Sequence, residues 1–163
     1  MTPRALGLTT AACVLAFDQA SKYWMLEIFG IEARQPIRVT PFLDVVMAWN
    51  RGVSYGNFPL HPMILLAFSL AVSAFLVVWL WRSAMPLTCV ALGLILGGAL
   101  GNAVDRWLHG AVADFFHFHT PFWLGPFSNY VFNIADVGIV AGAALLLYEA
   151  FFVKDRVPPA PAA

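Results

Sequence analysis

Long uncharged apolar runs alternate with short polar clusters along this chain, and the runs have the length of membrane helices. Arg4 precedes a neutral run over residues 5–17, and a helical pattern continues through Asp18 and Lys22 to residue 26. No charge falls between Arg51 and Arg82. At about 1.5 Å per residue, residues 61–81 suffice to cross a hydrocarbon core about 30 Å thick. Arg82, Ser83 and Pro86 mark a tight turn; residues 87–104 form a third run, closed by Asp105 and Arg106, and residues 133–153 a fourth. The pattern therefore predicts an all-α integral membrane protein with four transmembrane helices, at 5–26, 61–81, 87–104 and 133–153. They make one domain over 1–153, and the Pro/Ala-rich residues 154–163 are expected to be a disordered cytoplasmic tail.

Two connections are long enough to hold further structure. In residues 27–60, IRVT and FLDVVMAWN are β-branched or alternating runs broken by Pro41 and Gly52, which predicts a small extramembrane β element. Residues 107–132 carry Trp107, Phe115, Phe116, Phe118, Phe122, Trp123, Phe127 and Tyr130, a composition suited to a flap lying at headgroup level. Inside the third run Gly93, Gly97 and Gly101 recur every four residues and predict close helix packing. The start of the chain has no small-residue cleavage site followed by a polar mature segment, so the first span is read as retained.

Composition agrees with this setting: 61% of the residues are hydrophobic and 11% charged. The formal net charge is zero, which argues against a nucleic-acid partner. Cys13 and Cys89 both fall in apolar runs and are expected to be buried small hydrophobes. Four spans put both termini on one side and gather Asp18, Lys22, Asn50, Asn102, Asp105, Arg106, Asp114, Asn133 and Asp136 at the opposite membrane face. Basic residues number five on that loop-rich face against four on the other. Per residue of exposed connection the short-loop side is richer, which places it, and the termini, in the cytoplasm.

Ionisable groups within spans are costly and are candidates for function unless paired. Asp18 and Lys22, four apart on one helix face, are expected to neutralise each other. Asp105 and Arg106 diverge as helix neighbours, but at a helix end their heads can meet each other or bind neighbouring spans, while Asp44 and Asp155 are read as surface charges. Asp114 and Asp136 remain without a neighbouring cation. Two carboxylates sharing a site do not ionise together comfortably, so one keeps a proton while the other acts as base, the arrangement of aspartic-protease chemistry. Spacing alone leaves a structural alternative: Asn133 as N-cap and Asp136 as first-turn acid of the last helix. Rival chemistries are weaker. Asp114, His117 and His119 lack the helical spacing of a zinc protease, and Ser21 and Lys22 point about 100° apart on a helix. A proton-coupled transporter would want its aspartates near the bilayer midplane.

Five segments, DQASK (18–22), NRGVSYGNF (50–58), GGALGNAVDR (97–106), GAVADFF (110–116) and FNIAD (132–136), resemble the ordered motifs of the lipoprotein signal peptidases, signal peptidase II. Each is weak alone; five in order are specific, and the likeness runs from about residue 17 to 139. The resemblance implies a four-span enzyme of the bacterial inner membrane, active near its periplasmic face. It would be a cofactor-free aspartic endopeptidase, monomeric, that removes signal peptides from diacylglyceryl-modified prolipoproteins just before the lipidated cysteine. It carries the catalytic roles to Asp114 and Asp136. Asn50, Asn102, Arg106 and Asn133 fall at substrate-pocket positions, and Asp18, Lys22 and Asp105 at structural polar pairs. Ser54, Tyr55 and Val137 depart from the family's usual residues, and the stretch with His117, His119, Pro121 and Pro126 looks long for its flap.

Overall fold

The computed structural model describes residues 1–52, 61–122 and 128–153. Ser54, Tyr55, Trp123, Pro126, Phe127 and Asp155 lie outside them, as does the expected tail. Four long helices account for most of the described chain: α1 (Pro3–Tyr23), α2 (Pro62–Arg82), α3 (Pro86–His109) and α4 (Ile134–Tyr148), which a wide turn extends over Glu149–Val153. Proline stands at the first turn of α1, α2 and α3, where its missing N–H costs nothing. Among the described residues three helices are long and apolar enough to cross a membrane: α2, α3 and Ile134–Val153. α1 has comparable length but carries Arg4, Asp18 and Lys22, so the expectation of four spans stands at three on these grounds. The third run ends five residues later than expected, at His109, where Gly110 takes a left-handed conformation and closes the helix.

α3 is the central helix, packed against α1, α2 and α4. The glycine spacing is what allows it. A Cβ at Gly97 would stand 2.5 Å from the Ala11 carbonyl oxygen of α1, and one at Gly101 2.5 Å from the Asp18 carboxylate. On the other flank, a Cβ at Gly98 would collide with the Ala135 carbonyl of α4. Backbones thus approach closely enough for dispersion contacts to hold helices together where lipid supplies no hydrophobic drive. Ala11, Leu76, Leu80, Leu92 and Leu96 fill the space among α1, α2 and α3. Cys89 is buried as expected, whereas Cys13 is exposed on the outer side of α1, since only one stripe of that helix meets α3.

The expected β element is larger than the first connection alone. β1 (Ile37–Thr40) and β2 (Leu43–Asn50) form there, but the second connection contributes β3 (Val112–His119) and β4 (Asn129–Phe132). All pair antiparallel in the order β1-β2-β3-β4. Aromatic residues that suit a headgroup layer equally suit a pleated, half-buried strand, and here they take that role. Phe115 packs with Met25, Ile31 and Ala113 beneath the sheet, and the Phe116 ring lies tilted against Phe132. Asp44 is not a free surface charge: it faces His119 at 3.1 Å and Arg38 at 3.8 Å. The sheet brings strands from two distant connections over one end of the helices, and β4 runs directly into α4.

Candidate active site

Asp114 lies in β3 and Asp136 in the first turn of α4, and two buried asparagines join them. Asn133 Nδ2 donates to Asp114 Oδ1 at 2.6 Å and to Asn102 Oδ1 at 3.1 Å, while Asn102 Nδ2 donates to Asp136 Oδ1 at 2.9 Å. From β2, Asn50 Nδ2 donates to Asp114 Oδ2 at 3.1 Å. Its own oxygen accepts from the Gly52 N–H. The β2–β3 register dictates that contact, because Asn50 pairs with Val112 and Ala48 with Asp114.

The structural alternative for Asn133 and Asp136 describes real bonds. Asn133 caps α4, its side chain accepting from the Asp136 N–H at 3.0 Å, and Asp136 Oδ2 accepts from the Asn133 N–H at 3.2 Å. Capping does not withdraw Asp136 from the site. It fixes the carboxylate at the wall of a cavity of about 330 Å³ lined also by Asn50, Asn102, Arg106 and Asp114.

Beneath the cavity is a buried ionic cluster that the sequence shows only in part. Lys22 Nζ lies 2.7 Å from Asp18 and 2.8 Å from Asp105. Asp105 thus pairs with Lys22 and not with Arg106. Neighbours on a helix diverge, and only Lys22 of α1 lies on the Asp105 side of α3. Gln19 Nε2 completes the cluster, donating to both carboxylates at 3.1 Å. Each carboxylate also accepts a backbone N–H from a second element: Asp18 Oδ1 from Ala135 at 3.0 Å, and Asp105 Oδ2 from Ala113 at 3.1 Å. Ala135 immediately precedes Asp136 and Ala113 immediately precedes Asp114. One lysine therefore ties down the backbone beside both site aspartates. Gln19 was the residue the sequence reading passed over, although it lies inside the DQASK segment.

Burial also governs the electrostatics at the cavity. Burial, and after it the nearby Asp136 carboxylate, pushes the Asp114 carboxyl from 3.8 up to about 7, against the opposing hydrogen bonds from Asn50 and Asn133 and the Lys22 charge. Arg106 lies within electrostatic reach of Asp136, Asp114 and Asp105, and its Nε is buried without a hydrogen-bond partner among the described residues. The rival constellations come apart. The Ser21 hydroxyl donates to the Asp18 carbonyl at 2.7 Å, and Lys22 is committed to two carboxylates. His117 is held by Asn129 and His119 by Asp44. Among the described residues no cluster of three or more His, Cys, Asp or Glu is placed to bind a metal ion.

Comparison with known proteins resolves the family. The model of signal peptidase (SPase) II matches residues 10–152. The chain belongs to the signal peptidase II family. A lipoprotein signal peptidase of Methylocella silvestris is 54% identical over 156 residues, covering 93% of this chain and 89% of the relative. One from Beijerinckia indica is 48% identical over 165 residues, covering 99% and 96%. A solved structure described as a bacterial membrane enzyme superposes with a TM-score of 0.75 at 27% identity, covering 93% of each chain. This signal peptidase II is accordingly a membrane protease, which sets aside the transporter reading.

Proposed function

We propose that this enzyme removes the signal peptide from diacylglyceryl-modified prolipoproteins, with Asp114 and Asp136 as its catalytic dyad. The observation that carries the proposal is the asparagine bridge, which sets both carboxylates on one cavity. With its carboxyl pushed up to about 7, Asp114 keeps its proton in a large share of molecules at neutral pH, and we assign it as the acid and Asp136 as the base. Asp136 takes a proton from the attacking water, and Asp114 gives its proton to the carbonyl oxygen as the tetrahedral diol forms. On collapse Asp114 recovers a proton from the diol, and Asp136 passes its own to the leaving nitrogen. Asn50, Asn102 and Asn133 orient the carboxylates. Arg106, at the cavity wall with an unused N–H, is suited to a polar group of the substrate.

The same reading makes α1 the fourth span, with the Lys22 charge near its buried end held between the carboxylates of Asp18 and Asp105. It places the sheet and the active site at the outer face of the bacterial inner membrane and the α2–α3 turn in the cytoplasm. The test is cleavage by the purified enzyme in detergent of one prolipoprotein with and without its diacylglyceryl group, read by mass spectrometry. Cleavage before the modified cysteine alone is expected; equal cleavage of the unmodified protein, or none of either, overturns the assignment.

A further inference from the structure

A second cavity, of about 850 Å³, opens at the opposite end of the helices, where the α2–α3 turn meets the end of α4. Its walls are largely apolar, including Trp79, Leu146, Leu147 and Val153. Ile95 of α3 lines both this cavity and the one holding the two aspartates, so the two adjoin end to end along α3, as successive parts of a groove between α2 and α4. One carboxylate faces the far end. Glu149 is half-buried and receives the Thr88 hydroxyl at 2.7 Å from each of its oxygens. No cation lies within ion-pair distance of it among the described residues. Arg82 lines the same cavity but is exposed, at the end of a long flexible side chain that can reach headgroup phosphates.

The dimensions fit one class of occupant. From Asp136 to Glu149 the helix advances about 20 Å at about 1.5 Å per residue. A signal peptide has an apolar core of about 7–15 residues, about 10–22 Å as a helix, between a basic N-terminal segment and the cleavage site. With the scissile bond at the aspartates, the apolar core fills the groove and the basic segment arrives at Glu149. Resting on the signal-peptidase reading above, we infer that Glu149, oriented by Thr88, is a specificity residue that receives the basic N-terminal segment of the substrate's signal peptide. A phospholipid in the same groove would not couple Glu149 to the charge of that segment.

The experiment uses the full-length enzyme and two synthetic diacylglyceryl substrates that differ only in having two lysines or two glutamines in that segment. Wild-type enzyme is expected to show a KM about fivefold lower for the dilysine substrate, the scale of one basic residue at an anionic site near a membrane surface. In Glu149→Gln the ratio of the two KM values is expected to fall toward one. Equal KM values for the two substrates with wild-type enzyme overturn the inference without any variant. A Glu149→Gln enzyme that keeps the fivefold ratio, or that changes both KM values together as loss of a bound phospholipid would, also overturns it. Failure to cleave either substrate by the wild-type enzyme is the separate failure of the parent reading.

Discussion

Replacing Asp114 with asparagine separates the cost of the site from its use. The Asp114 carboxyl has an ordinary value of 3.8 and is pushed up to about 7 in the folded protein. The folded state therefore holds this proton more tightly than the unfolded state. Wild-type stability from this group is whole below 3.8, declines as pH rises, and is fully lost once pH passes about 7. Roughly three pKa units correspond to about 4 kcal/mol, of which about 3 kcal/mol is lost between pH 5 and pH 8. Asparagine does not ionise, so Asp114→Asn removes this decline. Its amide offers one acceptor where Asn50 and Asn133 now donate to two oxygens, and one opposed contact costs about 1–2 kcal/mol at every pH. The variant should therefore match the wild type near pH 5 and exceed it by about 3 kcal/mol near pH 8. Reversible unfolding in mixed micelles by SDS titration at the two pH values measures the difference, in which groups that do not interact with Asp114 cancel. A difference between variant and wild type that does not change with pH would refute the argument that burial and Asp136 together raise this group.

Three further outcomes follow from the packing and the site. Asp18→Ala leaves Lys22 paired with Asp105 but strips the buried Ala135 N–H of its acceptor, and should cost about 1–3 kcal/mol in thermal stability in detergent; adding Lys22→Ala should raise the cost to about 3–5 kcal/mol or more, because Asp105 then loses its cation, and recovery by the double variant would show that Asp105 is neutralised elsewhere. Gly98→Ala, whose new methyl would meet the Ala135 carbonyl, should lower stability by about 1–3 kcal/mol, and an unchanged melting temperature would mean that α4 moves aside freely. Cleavage should survive exhaustive chelation, since the dyad activates water itself; loss with EDTA and recovery with zinc would return Asp114, His117 and His119 to consideration.

The helices were legible because their signal is one-dimensional: charge-free runs of bilayer length, prolines at the starts and a glycine every fourth residue. The two candidate aspartates stand out as carboxylates lacking a cation nearby in the chain, a choice that spacing alone leaves open and the motif resemblance favours. That procedure finds i,i+4 partners such as Asp18 and Lys22 but cannot choose the partner of Asp105, whose cation stands 83 positions earlier on another helix. β3 escaped for a different reason. Val112 to Phe115 are buried on both faces, so the strand shows no alternation, and its aromatics match the composition of a membrane interface. The link between the aspartates was invisible for the same reason as the Asp105 pairing, since Asn102, Asn133 and Asn50 converge from three elements.

The dyad is tested most directly by turnover of a diacylglyceryl-modified prolipoprotein by Asp114→Asn and Asp136→Asn enzymes, each first shown to be folded by its melting transition in detergent. Loss of a positioned acid or base removes about 10²–10⁴-fold in rate, so both variants should fall by at least that factor while remaining folded. Near-normal turnover by either folded variant would contradict the account.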